Sequence, residues 1–472
     1  MDKLLSFSEK QEIVNFIKQN NIKILNLCHI PEDGRLKTLS FSAANEKRIM
    51  EVLEFGERVD GSNLFSFIEP NKSDIYIKPN IHRAFSNPFS IVPALNILCE
   101  YLDQNGNPLD TTPQNVLSKA EGELQRSNNI ALKAFAELEF YVISKQESNI
   151  LFPCMQDKHY HESAPFTKFE DLRNKILVML NSVGIATKYA HSEVGNISMK
   201  DGTLFEQHEV EFKPASLSEM ADTVAITKWI VRNICARHGM NVSFSPKIAL
   251  EHAGNGMHIH FCGIKNERNI VANPDGTSSV EASKMIGGIL RFAPSLTAFG
   301  NPTPASYMRF IARKESPMHI CWSSRNRSAL IRIPLWWSFK KQDIERNTCI
   351  ETIEYRSPDP FANVHLLFAG IALAIKYGLE NSEETLKIAE LTRIEEGTKK
   401  KRLKSLPKSC YESANNLRKD RRLYEINGTF PKRLIDKTIE KLKAYKDKDL
   451  WKNLTEKPEK IEKMLEQYLH YG

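Results

Sequence analysis

The sequence predicts an α+β protein in two parts, a small domain over residues 1–103 and a larger one over residues 113–472. Three observations point there. Helical and strand patterns alternate from the start of the chain, and the segment DQNGNPLDTTPQ (103–114) is a cluster of turn formers that interrupts them. Beyond it, several strand-like segments place polar residues two apart with apolar residues between.

Residues 9–20 carry Ile13, Val14, Phe16 and Ile17 on one side of a helical repeat and read as a helix. Residues 22–28 read as a strand, PEDGR as a turn containing the hairpin signal Asp33-Gly34, and residues 36–41 as the returning strand. Residues 43–55 look helical, and residues 74–78 and 91–102 look like further strands. After the linker, residues 113–126 read as a helix, and strands and helices interleave to about residue 380. The remainder is lysine-rich and helical, with KKKRLK at 399–404 and a long helical pattern at 434–454. No internal repeat is visible.

Hydrophobic residues at 41% and charged residues at 26% sit near the average for soluble globular proteins, which excludes a disordered chain, a collagen-like fibre and a disulfide-dense scaffold. A net charge of +7 over 472 residues is too slight to argue for nucleic acid or membrane as a partner, and KKKRLK reads as solvated surface. The opening MDKLLSFSEKQEIVNF has no secretory apolar region, and the longest apolar stretch, residues 366–375, is too short to span a bilayer. The 8 cysteines are scattered without a CxxC. A cytoplasmic location with reduced thiols is the expectation.

The chemistry lies in the strand-like segments Glu137-Leu138-Glu139-Phe140, His191-Ser192-Glu193-Val194, His208-Glu209-Val210-Glu211-Phe212, Met257-His258-Ile259-His260-Phe261, Ile331-Arg332-Ile333 and Ile353-Glu354-Tyr355-Arg356. Side chains at i and i+2 of a strand share a face. If these strands share a sheet, one face gathers Glu137, Glu139, Glu193, Glu209, His258 and Glu354. Carboxylates that close would repel and protonate unless cations held them ionised, and oxygen ligands with one imidazole suit Mg²⁺ or Mn²⁺. Arg309, Arg325, Arg327, Arg332 and Arg356 bracket the acids. Divalent ions beside guanidinium groups are what phosphoryl transfer requires. There is no Walker-type loop; Ala253-Gly254-Asn255-Gly256 can bring backbone N–H groups close to a ligand.

AELEFYV (136–142), HSEV (191–194), EQHEVEF (206–212), GNGMHIH (254–260), SYMRF (306–310), SSRNRSALIRIP (323–334) and IEYRSPDP (353–360) resemble, in order, the signature segments of the glutamine synthetase family, type I. VDGSN (59–63) resembles the aspartate-bearing loop of that family's small N-terminal β-grasp domain, and NVLSKA (115–120) and HYHESAPFTKFEDLR (159–173) also fit. The resemblance spans about residues 10–380. It implies a β-grasp domain packed on a large catalytic domain whose antiparallel sheet lines the active site.

By that resemblance, Glu139, Glu193 and Glu209 would hold one Mg²⁺ or Mn²⁺ ion, and Glu137, His258 and Glu354 a second. His260, Arg327 and Arg332 would contact ATP, and Arg327, Arg332 and Arg356 would stabilise the transferring phosphoryl group. Arg309 would bind the glutamate α-carboxylate, with Gly254, His258 and Arg356 also at the substrate. Asp60 of a neighbouring subunit would hold ammonium and take its proton beside Tyr160, and Glu315 on a flap would close the site. The implied activity is glutamine synthesis from glutamate, ammonium and ATP, in a dodecamer of two hexameric rings.

The chain departs from the family's pattern at Ala253 and Asn255, where asparagine and serine are usual, and at Asn63, where a serine is usual. The Glu193–Glu209 and Arg332–Glu354 spacings are longer, Trp336, Trp337 and Arg346 lie in the second insertion, and the flap reads IARKESP. No tyrosine stands between Tyr377 and Tyr411, which argues against control by adenylylation. Two other readings stay open: a ligase that joins glutamate to an organic amine such as a polyamine or methylamine, and a catalytically silent metabolite-binding member.

Overall fold

A computed structural model describes residues 4–145, 151–153, 155–273, 275–311, 316–335, 351–394 and 403–471. Glu315, Trp336, Trp337, Arg346 and most of KKKRLK lie outside the described residues.

The N-terminal part runs α1 (Lys10–Gln19), β1 (Ile24–His29), β2 (Lys37–Ser42), α2 (Glu46–Phe55), β3 (Glu57–Asp60), β4 (Asp74–Ser86) and β5 (Ala94–Leu102). Its sheet has the order β2-β1-β5-β4-β3, with β1 parallel to β5 and the other pairs antiparallel. The buried Ile13, Val14 and Ile17 of α1 join Ile49, Val52 and Leu53 of α2 in the core. Asn45 caps α2 by accepting from Arg48 N, and Gly56, at φ 72°, ends it.

Three local expectations shift. Asp33-Gly34 lies inside a longer connection between β1 and β2 rather than forming a two-residue turn, with Gly34 at φ 70°. The strand expected from residue 91 begins at Ala94, because Pro93 has no N–H for the ladder; its carbonyl instead accepts from Lys23 N and Ile24 N. The strand expected over 74–78 continues to Ser86 across a register shift between Pro79 and Ala84.

The larger part continues with α3 (Pro113–Asn128), β6 (Ala131–Lys145), α4 (Glu170–Ser182), β7 (Thr187–Ser198), β8 (Thr203–Phe212), β9 (Ala215–Ser216), α5 (Leu217–Arg237), β10 (Asn241–Ser243), β11 (Met257–Lys265), β12 (Arg268–Asn269), α6 (Val280–Gly300), α7 (Pro304–Ile311), β13 (Trp322–Ser324), β14 (Ile331–Ile333) and β15 (Ile353–Tyr355). Then come α8 (Val364–Glu380), α9 (Ser382–Thr392), α10 (Cys410–Tyr424), α11 (Lys432–Ala444), α12 (Leu450–Glu456) and α13 (Pro458–Tyr468). The strands form one mixed, mostly antiparallel sheet of order β13-β14-β15-β11-β6-β8-β7, with β9 and β10 on β6 and β12 on β11. All the polar-alternating segments of the sequence therefore do share a sheet.

α5 packs on β6 and α4 on β7, while α3, α6, α8 and α10 stack into a helical layer. A capping box between Ser216 and Glu219 opens α5. The two parts are clamped by Arg83 of β4 on Asp222 of α5, which His365 of α8 also bonds at 3.0 Å, and by Gln114 Nε2 donating to Ile30 O at 2.7 Å. No helix among the described residues is long and apolar enough to cross a membrane.

Candidate active site

Strand register builds the site. Residues paired across neighbouring strands share a face, and three rows cross the sheet on one side. The first is Arg332–Glu354–His260–Phe135 over β14, β15, β11 and β6. The second is His258–Glu137–Glu211–Tyr189 over β11, β6, β8 and β7, and the third is Glu139–Glu209–His191. Glu193 lies where β7 breaks register between Ser192 and Asn196. These rows floor a cavity of about 670 Å³ that is also lined by Tyr160, Lys188, Gly254, Arg309, Arg327 and Arg356.

At its centre, Glu137 lies 2.8 Å from His258 Nδ1 and 2.9 Å from His260 Nε2. The buried Glu354 is ion-paired with Arg332 and Arg356 and stands 3.8 Å from His258 Nδ1. On the far side, His191 Nε2 is 3.2 Å from Glu209, and Lys188 Nζ is 2.7 Å from Glu211. Arg309, on α7, is 3% exposed and donates to Ser357 O at 2.9 Å. Tyr160 stacks on His161 at 4.1 Å, stands edge-on to His191, and lines the cavity with Arg327. Gly256 permits close approach: a Cβ there would fall within 3.0 Å of Arg309 Nη2, His258 Nε2 and Glu139 Oε1.

The electrostatics divide the acids. Burial pushes the Glu209 carboxyl well above its usual range, and the charges of Glu137, Glu139, Glu193 and Glu211 add to the rise. Burial likewise raises Glu211, with Glu137 adding to it and Lys188 opposing. Burial would also raise Glu137, but His260 and His258 outweigh it and hold that carboxyl well below the usual range. His258 is pushed down to about 4 by burial and by Arg356. A divalent cation seated among these acids removes their repulsion, and carboxylate oxygens with imidazole nitrogen are a donor set that suits Mg²⁺ or Mn²⁺. Among the described residues, two groups converge closely enough to hold an ion, Glu137 with His260 and Glu354, and His191 with Glu209 and Glu211.

Of the residues the sequence nominates, Glu137, Glu139, Glu193, Glu209, His258, His260, Glu354, Tyr160, Gly254, Arg309, Arg327, Arg332 and Arg356 all line this cavity. Asp60 does not; it ends β3, exposed, with its carboxylate accepting from Ser62 N at 2.9 Å and Asn63 Nδ2 at 2.6 Å. A bond from the Ser62 hydroxyl leads the interactions that lower its pKa. Glu315 lies outside the described residues. His191 and Glu211 stand in one of the converging groups although the resemblance implies neither as a ligand. Both sit in the quoted segments, two residues from Glu193 and Glu209, so the alternation that found those acids also marks them.

Two family models match the chain: the glutamine synthetase β-grasp domain over residues 21–104 and the glutamine synthetase catalytic domain over residues 110–465. The glutamine synthetase of Thermotoga maritima is 29% identical over 421 residues, covering 87% of this chain and 90% of that protein. That of Pyrococcus abyssi is 30% identical over 431 residues, covering 90% and 91%. Among solved structures, a cryo-EM structure of Plasmodium falciparum glutamine synthetase superposes with a TM-score of 0.81 at 22% identity, covering 94% of this chain and 97% of that one. Apo GmaS without ligand superposes with a TM-score of 0.73 at 21% identity, covering 92% and 95%. These two establish likeness of fold. With both domains matched along most of its length, the chain belongs to the glutamine synthetase family and carries the catalytic domain of an ATP-dependent glutamate ligase.

Proposed function

We propose that this chain is a glutamine synthetase, forming glutamine from glutamate, ammonium and ATP through γ-glutamyl phosphate. The observation that carries the reading is the cavity itself, in which rows of carboxylates and imidazoles face Arg309, Arg327, Arg332 and Arg356. Arg309 binds the glutamate α-carboxylate beside the Gly254 loop. The γ-carboxylate oxygen attacks the γ-phosphorus of ATP and ADP leaves; Arg327, Arg332 and Arg356 stabilise charge on the phosphoryl group in flight, and His260 contacts the nucleotide. Divalent ions held by Glu139, Glu193 and Glu209, and by Glu137, His258 and Glu354, would orient the phosphate and screen it from the carboxylate. Ammonium gives a proton to Asp60, ammonia attacks the acyl carbon near Tyr160 and Glu193, the adduct loses a proton to Glu315, and phosphate departs.

Because Asp60 lies outside its own chain's cavity, it serves the site of a neighbouring subunit in a ring, two hexamers stacked as a dodecamer. The buried free thiols of Cys28, Cys99, Cys235 and Cys410 suit the reducing cytoplasm. A second reading, transfer to an organic amine, is favoured by Asn63, whose amide occupies one oxygen of Asp60. The test is phosphate release with ATP, Mg²⁺ or Mn²⁺ and glutamate, comparing ammonium with methylamine, putrescine and spermidine, products identified by mass. Glutamine is the expected dominant product. A γ-glutamylated amine with ammonium poor moves the function to the second reading, and no turnover with any acceptor leaves a metabolite-binding protein.

A further inference from the structure

The loop Ala253-Gly254-Asn255-Gly256 departs from the family at Asn255, and its burial shows what that residue does. Asn255 is 0% exposed and is absent from the cavity lining, although its neighbour Gly254 is part of it. Its Nδ2 donates to Ser245 O at 2.9 Å and Ser243 O at 3.3 Å, which turns its Oδ1 toward Gln207 Nε2, 3.0 Å away. Gln207, 1% exposed, lies two residues before Glu209 on the cavity face of β8, opposite Tyr141 of β6. Its Oε1 accepts from Gly195 N at 2.9 Å, which fixes the orientation of the amide. The two Nε2 hydrogens therefore face Glu139 Oε2 at 3.0 Å, Asn255 Oδ1 and Gly254 O at 3.1 Å. Gly256 N adds a second donor to the same Glu139 oxygen at 2.8 Å, and Tyr141 OH holds Ala253 O at 2.9 Å.

We propose that Gln207 and Asn255 are positioning residues for Glu139: a buried amide pair that pins the Gly254 loop to β8 and fixes the Glu139 carboxylate as a ligand for a divalent cation. The inference rests on the metal-dependent ligase reading. A glutamate side chain loses rotamer freedom when it is immobilised. Here that loss falls at folding, because Oε2 is held by Gln207 and by the Gly256 backbone whether or not an ion binds. The packing leaves the pair no slack, since a Cβ on Gly195 would lie 2.6 Å from Gln207 Oε1. Asn255 thus takes the place of the family's serine without touching substrate. It reaches from the Ser243 and Ser245 carbonyls to Gln207, and Gln207 reaches Glu139.

The test compares the wild-type protein with Asn255→Ala, Gln207→Met and the double variant. Mn²⁺ titration is read by electron paramagnetic resonance, with Tm as the check on folding and the KM for glutamate measured separately from kcat. Gln207→Met keeps the buried volume while removing the amide, so it carries the test if Asn255→Ala does not fold. Each folded single variant should weaken one class of Mn²⁺ site by about 10–100-fold. The double variant should be little worse than the worse single, because the two amides act as one unit. Wild-type Mn²⁺ affinity in the folded variants, or losses that simply add, overturns the proposal while leaving the ligase reading in place. A wild-type chain that binds no divalent cation overturns both.

Discussion

Glu206 offers the sharpest check on the electrostatics of the sheet. It lies on β8, on the side away from the cavity, with no exposed surface. Thr167 Oγ1 donates to it, Lys168 N at 2.8 Å and Phe169 N at 3.1 Å do the same, and His208 Nε2 stands 3.4 Å away. Burial alone would raise this carboxyl. His208, His159 and the Thr167 hydroxyl outweigh burial and hold it at about 2, against an ordinary 4.5. At about 1.4 kcal/mol per unit, the depression contributes about 3 kcal/mol of stability at neutral pH. The sign follows from a folded pKa below the unfolded one: the contribution is full above 4.5 and fades as pH falls toward about 2, leaving about 1.5 kcal/mol at pH 3. Glu206→Gln removes the charge and turns an amide N–H₂ against groups that donate. With an unfolding entropy of about 2 cal/mol/K per residue, the variant should melt roughly 3 °C below wild type at pH 7 and by about half that at pH 3. The assay is paired thermal melts with metal chelated. Equal melting at pH 7, or a gap as wide at pH 3 as at pH 7, refutes the reasoning.

Glu354→Ala should abolish turnover together with one class of bound Mn²⁺, and because it leaves the Arg332 and Arg356 guanidinium groups without their carboxylate, it should also cost about 3–5 kcal/mol. Wild-type-like phosphate release in that variant would sink the site assignment. Asp60→Ala should slow glutamine formation far more than formation of acyl phosphate trapped by hydroxylamine. If the proposed ring forms, dissociating Asp60→Ala and Glu354→Ala proteins and reassembling them together should restore a fraction of activity that neither has alone, since mixed rings would pair an intact Asp60 with an intact cavity; no recovery after reassembly argues for Asp60 acting elsewhere.

The alternation of polar residues was enough to place Glu137, Glu139, Glu209, His258 and Glu354 on one face, because the period of a strand is a local property that survives without knowing its neighbours. Which strands adjoin is not local, so the sequence did not reveal that Glu211 faces Glu137 across β6 and β8 while His191 faces Glu209 across β7 and β8. Gln207 was hidden for another reason. It continues the series Gln207–Glu209–Glu211 at the correct period, but an uncharged amide carries no signal until the loop that covers it is in place. Pro93 is a legible exception: its missing N–H marks the start of β5.

Strand β8 is buried along its two faces and carries carboxylates on both, Glu206 behind and Glu209 and Glu211 in front. A buried charge costs several kcal/mol unless something compensates it, and the two faces are compensated differently. Behind the sheet the donors are permanent: a hydroxyl and two backbone N–H groups that close only when residues 167–169 fold against β8. Glu206 is therefore ionised and fixed, and it anchors the far end of the segment that carries Tyr160 to the mouth of the cavity. His159 Nδ1, 3.1 Å from Glu193 O, ties that segment to the break in β7 where Glu193 turns into the cavity. In front, Glu209 is surrounded by Glu137, Glu139, Glu193 and Glu211, and burial and those charges push it upward. The same residue type at a spacing of three on one strand thus sits in opposite settings: Glu206 is lowered by the imidazoles and donors behind the sheet, and Glu209 is raised by burial and by the acids around it in front.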